Sequence, residues 1–231
     1  MNDKASVGHA ERQRGMLYGR RKGPALSVRQ EQLLEHLLPK LKLDIRAGAE
    51  PRSYFENMDD VWLEIGFGAG EHLHWQAQHN PRIGMIGAEP FINGVAKLLS
   101  KIEDEPIANV RLHMDDARDI INALPDASIG RVFVLFPDPW PKTRHHKRRF
   151  IQTEMLNDLA RVMKPGAELR FGSDDAPLVE YTLERVMAHP SFEWTATHAA
   201  DWQSRPADWP QTRYEAKQLH GVPAFFRFRR V

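Results

Sequence analysis

Apolar positions in this chain of 231 residues first follow a helical period and then alternate between strand-like and helix-like patterns. Ser27 can cap a helix, and Pro39 predicts a break inside the segment that follows it. Leucines recur through this segment at helical spacing, at Leu33, Leu34, Leu37, Leu38 and Leu41. The pattern predicts a helix that is kinked or interrupted near Pro39.

Strand-like and helix-like segments alternate from residue 61 onward. The predicted strands are VWLEI at 61–65, IGMIGAE at 83–89, NVRLH at 109–113, RVFVLF at 131–136, AELRFGS at 167–173 and AFFRFRRV at 224–231. Helices are predicted directly after Gly70 and then over 91–103, 116–123, 148–163 and 176–188. Such alternation predicts an α/β fold, a mostly parallel, doubly wound sheet with helices on both faces. The apolar run VFVLF suits the buried centre of that sheet.

Length and charge suggest how the chain is organised. With 42% hydrophobic residues, it can bury one substantial core. We predict a single domain over 27–231, preceded over 1–26 by a basic arm that lacks apolar periodicity and is expected to be mobile. The net charge of +1 is uneven, because residues 4–29 carry +6 and residues 138–149 carry +4. Such segments can bind phosphates, although each could also be a solvated face.

Composition excludes several classes of protein. The chain has no cysteine, which excludes disulfides, thiolate metal sites and cysteine nucleophiles and favours a reducing compartment. It has no apolar stretch long enough for a membrane span or a signal-peptide core, so we expect no membrane partner. An Arg-rich N-terminus is compatible with an organellar transit peptide, but a cytoplasmic, bacterial-type protein is the simpler interpretation. The oligomeric state, monomer or homodimer, stays open.

The segment EIGFGAG carries the first candidate chemistry. It places Gly66, Gly68 and Gly70 at the carboxyl end of the first strand, where doubly wound sheets bind ligands and where glycine lets the backbone approach them. The spacing differs from the dinucleotide motif G-x-G-x-x-G, and Glu64 would repel a pyrophosphate. A carboxylate suits a ligand that carries an ammonium group and a sulfonium cation. The segment therefore favours S-adenosylmethionine over NAD.

Two further acids follow the next strands. Glu89 ends the second strand, at the distance where a carboxylate accepts hydrogen bonds from ribose hydroxyls. Asp116 follows the third strand and is placed to meet an adenine amino group. Each acid could instead cap the next helix, and Asp115 competes with Asp116 for the role. Three acids at three successive strand ends strengthen the S-adenosylmethionine hypothesis.

The segment FPDPWPKTRHHKRR, at 136–149, joins an acid to a cationic run. Asp138 follows the fourth strand and lies between prolines that restrict the backbone. Trp140 could present a flat face to an unstacked base, or it could pack in the core. Adjacent His145 and His146 lack nearby acids or cysteines, so we expect no metal site, and we expect surface or packing roles for His72 and His74. The cations that would neutralise nucleic-acid phosphates are Lys142, Arg144, Lys147, Arg148 and Arg149.

Together, EIGFGAG, FPDPWPKTRHHKRR and the late segment TRYEAKQLHG resemble the bacterial tRNA (guanine-N7)-methyltransferase family over roughly residues 12–231. The glycine motif is common to class I methyltransferases, whereas the other two motifs are specific to few families. The resemblance implies a Rossmann-like class I fold with an antiparallel C-terminal strand and S-adenosylmethionine as cofactor. It also implies methyl transfer to N7 of the guanine at variable-loop position 46 of tRNA.

The resemblance implies roles for individual residues. The cofactor would contact Glu64, Glu89, Asp116 and Asp138 beside the glycine loop, and Asp138 would also be the catalytic residue. The substrate would contact Lys142, Asp174, Thr212, Arg213, Tyr214 and Glu215. Asp175 competes with Asp174, which we prefer because it directly follows the strand.

The chemistry at N7 limits what these residues must do. Guanine N7 is a lone-pair nucleophile without a proton, so orientation rather than a general base should supply most of the acceleration. Asp138 could hold the guanine N1 and N2 donors or the amino group of the cofactor, and both roles need an ionised acid. Two alternatives stay open. One is an amino-methyltransferase acting on another base, because DPW in this chain partly matches the D-P-P-[YFW] motif of such enzymes. The other is a non-catalytic RNA-binding module of the same fold.

Overall fold

The computed structural model describes residues 18–217 and 221–231, without the side chains of Tyr214 and Lys217. Its helices are α1 (Val28–His36), α2 (Leu38–Leu41), α3 (Glu71–His79), α4 (Ile92–Asp104), α5 (Ala117–Ala123), α6 (Thr153–Val162), α7 (Ala176–Met187), α8 (Ala200–Gln203) and α9 (Arg213–Lys217). Its strands are β1 (Asp60–Ile65), β2 (Ile83–Ala88), β3 (Val110–His113), β4 (Ile129–Leu135), β5 (Met163–Ser173), β6 (Phe192–Trp194) and β7 (Ala224–Arg230). Short 3₁₀ helices span Pro51–Tyr54 and Thr143–Arg148.

The strands in the described ranges form one sheet in the order β3-β2-β1-β4-β5-β7-β6. Strands β1 to β5 pair in parallel, and β7 runs antiparallel to both β5 and β6. This topology confirms the predicted mostly parallel sheet with an antiparallel C-terminal strand. The carboxyl ends of β1, β2 and β4 meet at one edge, because β1 lies between β2 and β4.

Two apolar clusters cover the two faces of the sheet. Along β4, Val132 and Val134 belong to one cluster, and Phe133 and Leu135 belong to the other. Alternate residues of a strand point to opposite faces, so β4 is buried on both sides as its composition predicts. Helices α5, α6 and α7 pack on the first face, and α1, α3 and α4 pack on the second.

Local signals account for several element boundaries. Ser27 and Gln30 form a capping box at the start of α1, and the predicted interruption is confirmed where α2 begins with Pro39 in its first turn. The prediction of a helix over 148–163 is wrong at its start. The extended backbone of Arg149, with ψ of 138°, separates the 3₁₀ helix from α6, which begins at Thr153. Strand β5 also begins earlier than predicted, at Met163.

Most of the predicted basic arm lies outside the described residues, which begin at residue 18. The part that is described packs against the start of α4. The N–H of Ile92 donates to the carbonyl of Arg21 at 3.1 Å, and the N–H of Gly23 donates to the side chain of Asn93 at 2.7 Å. The mobility of the arm stays a prediction. Within 18–217 and 221–231, no helix combines the length and apolar character that a membrane crossing requires.

Candidate active site

A cavity of about 600 Å³ opens at the carboxyl edge of the sheet. Its wall combines the glycine loop after β1, Glu89 after β2, the acids after β3 and residues 134–140 at the end of β4. The wall also includes residues 18–20, Arg148, Phe150, residues 173–175 and Thr212. This cavity therefore lies at the edge at which doubly wound sheets bind ligands.

The glycine loop requires glycine for two separate reasons. Gly66, Gly68 and Gly70 have φ of 72°, 57° and 76°, in the left-handed region that side chains with a Cβ rarely adopt. Space is also limited, because a Cβ on Gly70 would lie 2.6 Å from the side chain of Leu98, and one on Gly94 would lie 2.2 Å from the carbonyl oxygen of Gly68. Helix α4 therefore packs directly against the loop.

The carboxylate of Glu89 joins two loops of the cavity. Its Oε2 accepts from the backbone N–H of Gly68 at 2.7 Å, and its Oε1 accepts from the N–H of Phe91 at 2.9 Å. Burial raises the pKa of Glu89, the two backbone hydrogen bonds lower it, and the charges of Asp138 and Glu64 raise it further. The charges of Glu64 and Asp138 thus both reach Glu89 across this cavity.

Glu64 has a partner that the sequence did not reveal. Both Glu64 and His72 are buried, and Nδ1 of His72 lies 2.7 Å from Oε2 of Glu64. His72 is buried, in line with the packing role expected for it, and the hydrogen bond to Glu64 adds to that role, because α3 begins at Glu71 and its first turn lies beside the end of β1. His74 is buried as well, with Nε2 2.9 Å from the carbonyl oxygen of Glu105. The only signal in the sequence was the position of His72, two residues after the glycine loop.

Asp138 lies on a turn with unusual backbone geometry. Phe136 and Trp140 have φ of 48° and 46°, and each directly precedes a proline. Such residues cost of the order of 1–3 kcal/mol each and are concentrated at functional sites. The turn presents the Asp138 side chain to the cavity, where it has no hydrogen-bond or ion-pair partner among the described residues. Burial against the cavity wall raises the pKa of Asp138.

One acid after β3 and one acid after β5 cap the helix that follows. Asp116 caps α5 by accepting from the N–H of Arg118 at 3.0 Å, and its two oxygens also accept from the Arg118 guanidinium. Asp115 instead pairs with Arg21 at 2.7 Å. Asp175 caps α7 by accepting from the N–H of Leu178 at 2.8 Å. The capping interpretation is therefore correct for Asp116, although Asp115 and Asp116 both line the cavity.

The segment TRYE, at 212–215, reaches the cavity only in part. Thr212 lines the wall, and its Oγ1 accepts from the N–H of Glu215 at 3.2 Å. Glu215 is buried, and its Oε1 lies 3.0 Å from Nε of Arg205. Burial raises the pKa of Glu215, and the charge of Arg205 opposes this rise. Arg213 is exposed and pairs at 3.4 Å with Glu71, a residue of the cavity wall.

Comparison with known proteins decides the family. The family model "Methyltransf_4: Putative methyltransferase" matches residues 59–226. The tRNA (guanine-N(7)-)-methyltransferases of Rhodospirillum rubrum and Caulobacter vibrioides are each 50% identical to this chain. The alignments cover 92% of this chain in both cases, and 87% and 94% of the two relatives. The chain belongs to the tRNA (guanine-N7)-methyltransferase family.

Solved structures confirm the fold of this methyltransferase family member. The 16S rRNA methyltransferase KamB matches with a TM-score of 0.55 and 17% identity, covering 80% of this chain and 94% of that chain. An rRNA methylase from Streptococcus thermophilus matches with a TM-score of 0.51 and 13% identity, covering 90% of this chain and 99% of that chain. The resemblance and the fold class that the sequence predicted are both confirmed.

The structure brings together most residues that the family resemblance implied. Those that line the cavity are Glu64, Gly66, Gly68, Glu89, Asp116, Asp138, Asp174 and Thr212. In the described part of the chain, the wall does not include Gly70, Lys142, Arg213 or Glu215. The side chain of Tyr214 lies outside the description. The cavity thus collects the predicted cofactor acids more completely than the predicted substrate residues.

The cationic segment divides into exposed and packed residues. Lys142, Arg144 and Lys147 are exposed. The Arg148 guanidinium lies 4.9 Å from the ring centroid of Trp140 and 4.6 Å from that of Tyr18, so the indole already has a cationic neighbour on the cavity wall.

Arg149 corrects the prediction that the whole run faces phosphates. Only 2% of its surface is exposed, its Nε donates to the carbonyl of Pro139 at 2.9 Å, and its guanidinium lies 4.5 Å from the ring centroid of Tyr181. Burial lowers the pKa of Arg149. Arg149 therefore packs behind the Asp138 turn instead of meeting solvent, because Tyr181 of α7 and the Pro139 carbonyl hold it there.

Proposed function

We propose that this chain transfers a methyl group from S-adenosylmethionine to N7 of the guanine at position 46 in the variable loop of tRNA. The observation that carries the proposal is the convergence of Glu64, Glu89 and Asp138 on one cavity. There the charges of Glu64 and Asp138 raise the pKa of Glu89. A ligand with ammonium and sulfonium charges offsets this repulsion, so the residues present fit S-adenosylmethionine. The names of the relatives from Rhodospirillum rubrum and Caulobacter vibrioides support the same reaction.

Each cofactor contact follows from the donors and acceptors of the wall. Glu64 would accept from the ammonium group, and Glu89 would accept from the ribose hydroxyls, since each of its oxygens keeps lone-pair capacity beyond its backbone bond. The left-handed glycine loop would let the backbone approach the ligand, and Asp115 and Asp116 would border the adenine. When bound, S-adenosylmethionine supplies an electrophilic methyl group.

Asp138 would orient the reacting base. Its ionised carboxylate would accept from the guanine N1 and N2 donors or from the ammonium group of the cofactor, and either contact needs no proton transfer. The raised pKa shows that the wall disfavours the charge, so a bound donor would supply the missing compensation. With Asp174 and Thr212 on the same wall, such contacts would hold N7 in line for attack.

The surface outside the cavity would bind the tRNA backbone. Exposed Lys142, Arg144 and Lys147 lie on or beside the 3₁₀ helix that follows the Asp138 turn, and Arg148 sits at the wall itself. Arg213 of the TRYE segment borders the cavity through Glu71. The single domain over 27–231 would carry this phosphate-binding surface, and the basic arm over 1–26 would extend it. The enzyme would act on tRNA in the cytoplasm.

A methylation assay tests the proposed function. Protein incubated with methyl-labelled S-adenosylmethionine and unmodified tRNA is expected to yield labelled 7-methylguanosine after digestion of the RNA. Asp138→Ala is expected to abolish transfer while tRNA still binds. Asp126→Ala, at an exposed acid paired with Arg161, is the matched control and should keep full transfer. Label recovered in methyladenosine, or absence of transfer to any RNA by the wild type, would overturn the proposal.

A further inference from the structure

We propose that His72 is a positioning residue for the amino-acid end of the cofactor, acting through the carboxylate of Glu64. The inference rests on the proposed function, since it assumes that Glu64 meets the ammonium group of S-adenosylmethionine. Glu64 lines the cavity although only 2% of its surface is exposed, so the direction of its carboxylate depends on the protein groups behind it. The described group within hydrogen-bond distance is Nδ1 of His72, at 2.7 Å from Oε2.

A chain of hydrogen bonds fixes which nitrogen of His72 carries the proton. The amide nitrogen of Gln76 donates to the carbonyl oxygen of Asp208 at 2.7 Å, and a carbonyl oxygen can only accept. The Oε1 of Gln76 in turn accepts from Asn80 at 3.1 Å, which sets the same orientation of the amide. This NH₂ group lies 3.2 Å from Nε2 of His72, so Nε2 must be the acceptor. Nδ1 therefore carries the hydrogen and donates it to Glu64.

Packing holds the imidazole ring in this orientation. The His72 ring meets Phe133 edge-on at a centroid distance of 4.6 Å and Trp209 at 6.0 Å. Both aromatic side chains are fully buried. With the ring fixed, Oε2 of Glu64 is occupied and the remaining lone pairs of the carboxylate are available to the cavity. The arrangement resembles the hydrogen-bonded residues that orient metal ligands, here applied to a cationic organic ligand.

Two amide substitutions separate the two ring nitrogens. In His72→Asn, the side-chain amide nitrogen occupies the place of Nδ1, whereas in His72→Gln it extends to the place of Nε2. Titration calorimetry with S-adenosylhomocysteine is expected to show about a tenfold or larger loss of affinity for His72→Leu and His72→Gln. His72→Asn is expected to recover most of the wild-type affinity. Equal affinities for all three variants and the wild type would overturn the proposal.

A shortened ligand distinguishes positioning from a general structural role. 5′-Methylthioadenosine lacks the amino-acid end, so its affinity should stay within about twofold in every variant that unfolds at the wild-type temperature. A parallel loss of affinity for both ligands would overturn the inference, because it would indicate a distorted pocket. The wild type separates this outcome from failure of the proposed function. If it binds S-adenosylhomocysteine but does not methylate tRNA, the proposed reaction fails while the comparison of variants still decides the role of His72.

Discussion

The backbone N–H of Gly68 donates a 2.7 Å hydrogen bond to Oε2 of Glu89 and so joins the glycine loop to the end of β2. The other carboxylate oxygen accepts from the N–H of Phe91 at 2.9 Å, at the start of α4. One acidic side chain thus fixes two backbone segments while it lines the cavity. The same residue is expected to serve both the stability of the fold and the binding of the ligand.

Substitution of Glu89 should separate these two contributions. Glu89→Ala leaves both N–H donors without their acceptor, at a cost of about 1–3 kcal/mol in the free energy of unfolding. Glu89→Gln keeps one acceptor oxygen and is expected to unfold at higher urea concentration than Glu89→Ala, while both variants lose affinity for S-adenosylhomocysteine. Glu103→Ala, at an exposed acid of α4, is the control and should bind as the wild type does. Equal stability of the Ala and Gln variants would contradict the anchoring role.

Gly94 provides a test of how closely α4 packs against the glycine loop. In an exposed helix, Gly→Ala raises stability by up to about 1 kcal/mol, but a Cβ here would lie 2.2 Å from the carbonyl oxygen of Gly68. We therefore expect Gly94→Ala to lower the free energy of unfolding by about 1–3 kcal/mol and to weaken cofactor binding. Ser100→Ala, on the same helix, is the control and should change the free energy of unfolding and the affinity for the cofactor much less. A Gly94→Ala variant as stable as the wild type in urea would show that the glycine loop can shift to make room for the added methyl group.

Some of the site followed from the sequence because its causes are local or topological. The Ser27 cap depends on a residue three positions away, and periodicity marks each strand. Once strands and helices alternate, the carboxyl ends of parallel strands must share an edge. The topology therefore predicts that Glu64, Glu89 and Asp138 lie at one edge of the sheet, and all three line the cavity there.

Other features depend on contacts between distant segments, which no local pattern encodes. Arg149 resembles its cationic neighbours in sequence but is buried by Tyr181, which α7 brings from 32 residues away. His72 meets Glu64 only because α3 is rotated so that its first turn faces β1. The three-residue strand β6 is defined by its pairing with the edge of β7 rather than by its own composition.

The raised pKa values of Glu89 and Asp138 predict a pH dependence of cofactor binding. Both acids keep their protons to higher pH in the unliganded fold than in the unfolded chain, whose ordinary values are 4.5 and 3.8. Binding of a cation favours the ionised forms, so S-adenosylmethionine should release protons as it binds in mildly acidic solution. Titration calorimetry in buffers of different ionisation enthalpy measures this release. Proton uptake on binding would contradict the assignment of either acid to the cofactor.

The same shift predicts that Asp138 lowers the stability of the unliganded protein. A carboxyl group with a raised pKa in the folded state stabilises the fold fully below its unfolded pKa, and this contribution is lost as pH rises through the folded pKa. Asp138→Asn should therefore raise the melting temperature of the unliganded protein at neutral pH and leave it nearly unchanged well below the ordinary range of aspartate. The variant should also lose methyl transfer. An unchanged melting temperature at neutral pH would show that the cavity solvates the charge.

The division of the cationic segment predicts which arginines and lysines meet the tRNA backbone. Replacement of exposed Lys142, Arg144 and Lys147 by Gln should weaken tRNA binding and reduce the slope of log K against log salt by about 2 to 3, because each lost phosphate contact removes roughly one unit. A matched set of three lysines on α2 and α4, replaced by Gln at Lys40, Lys97 and Lys101, should leave the slope unchanged.

Arg149→Gln is expected to act differently, since the buried guanidinium supports Pro139 and Tyr181. It should lower the melting temperature without a specific change in the salt slope. A steep loss of salt dependence in Arg149→Gln alone would instead assign that residue to the RNA surface.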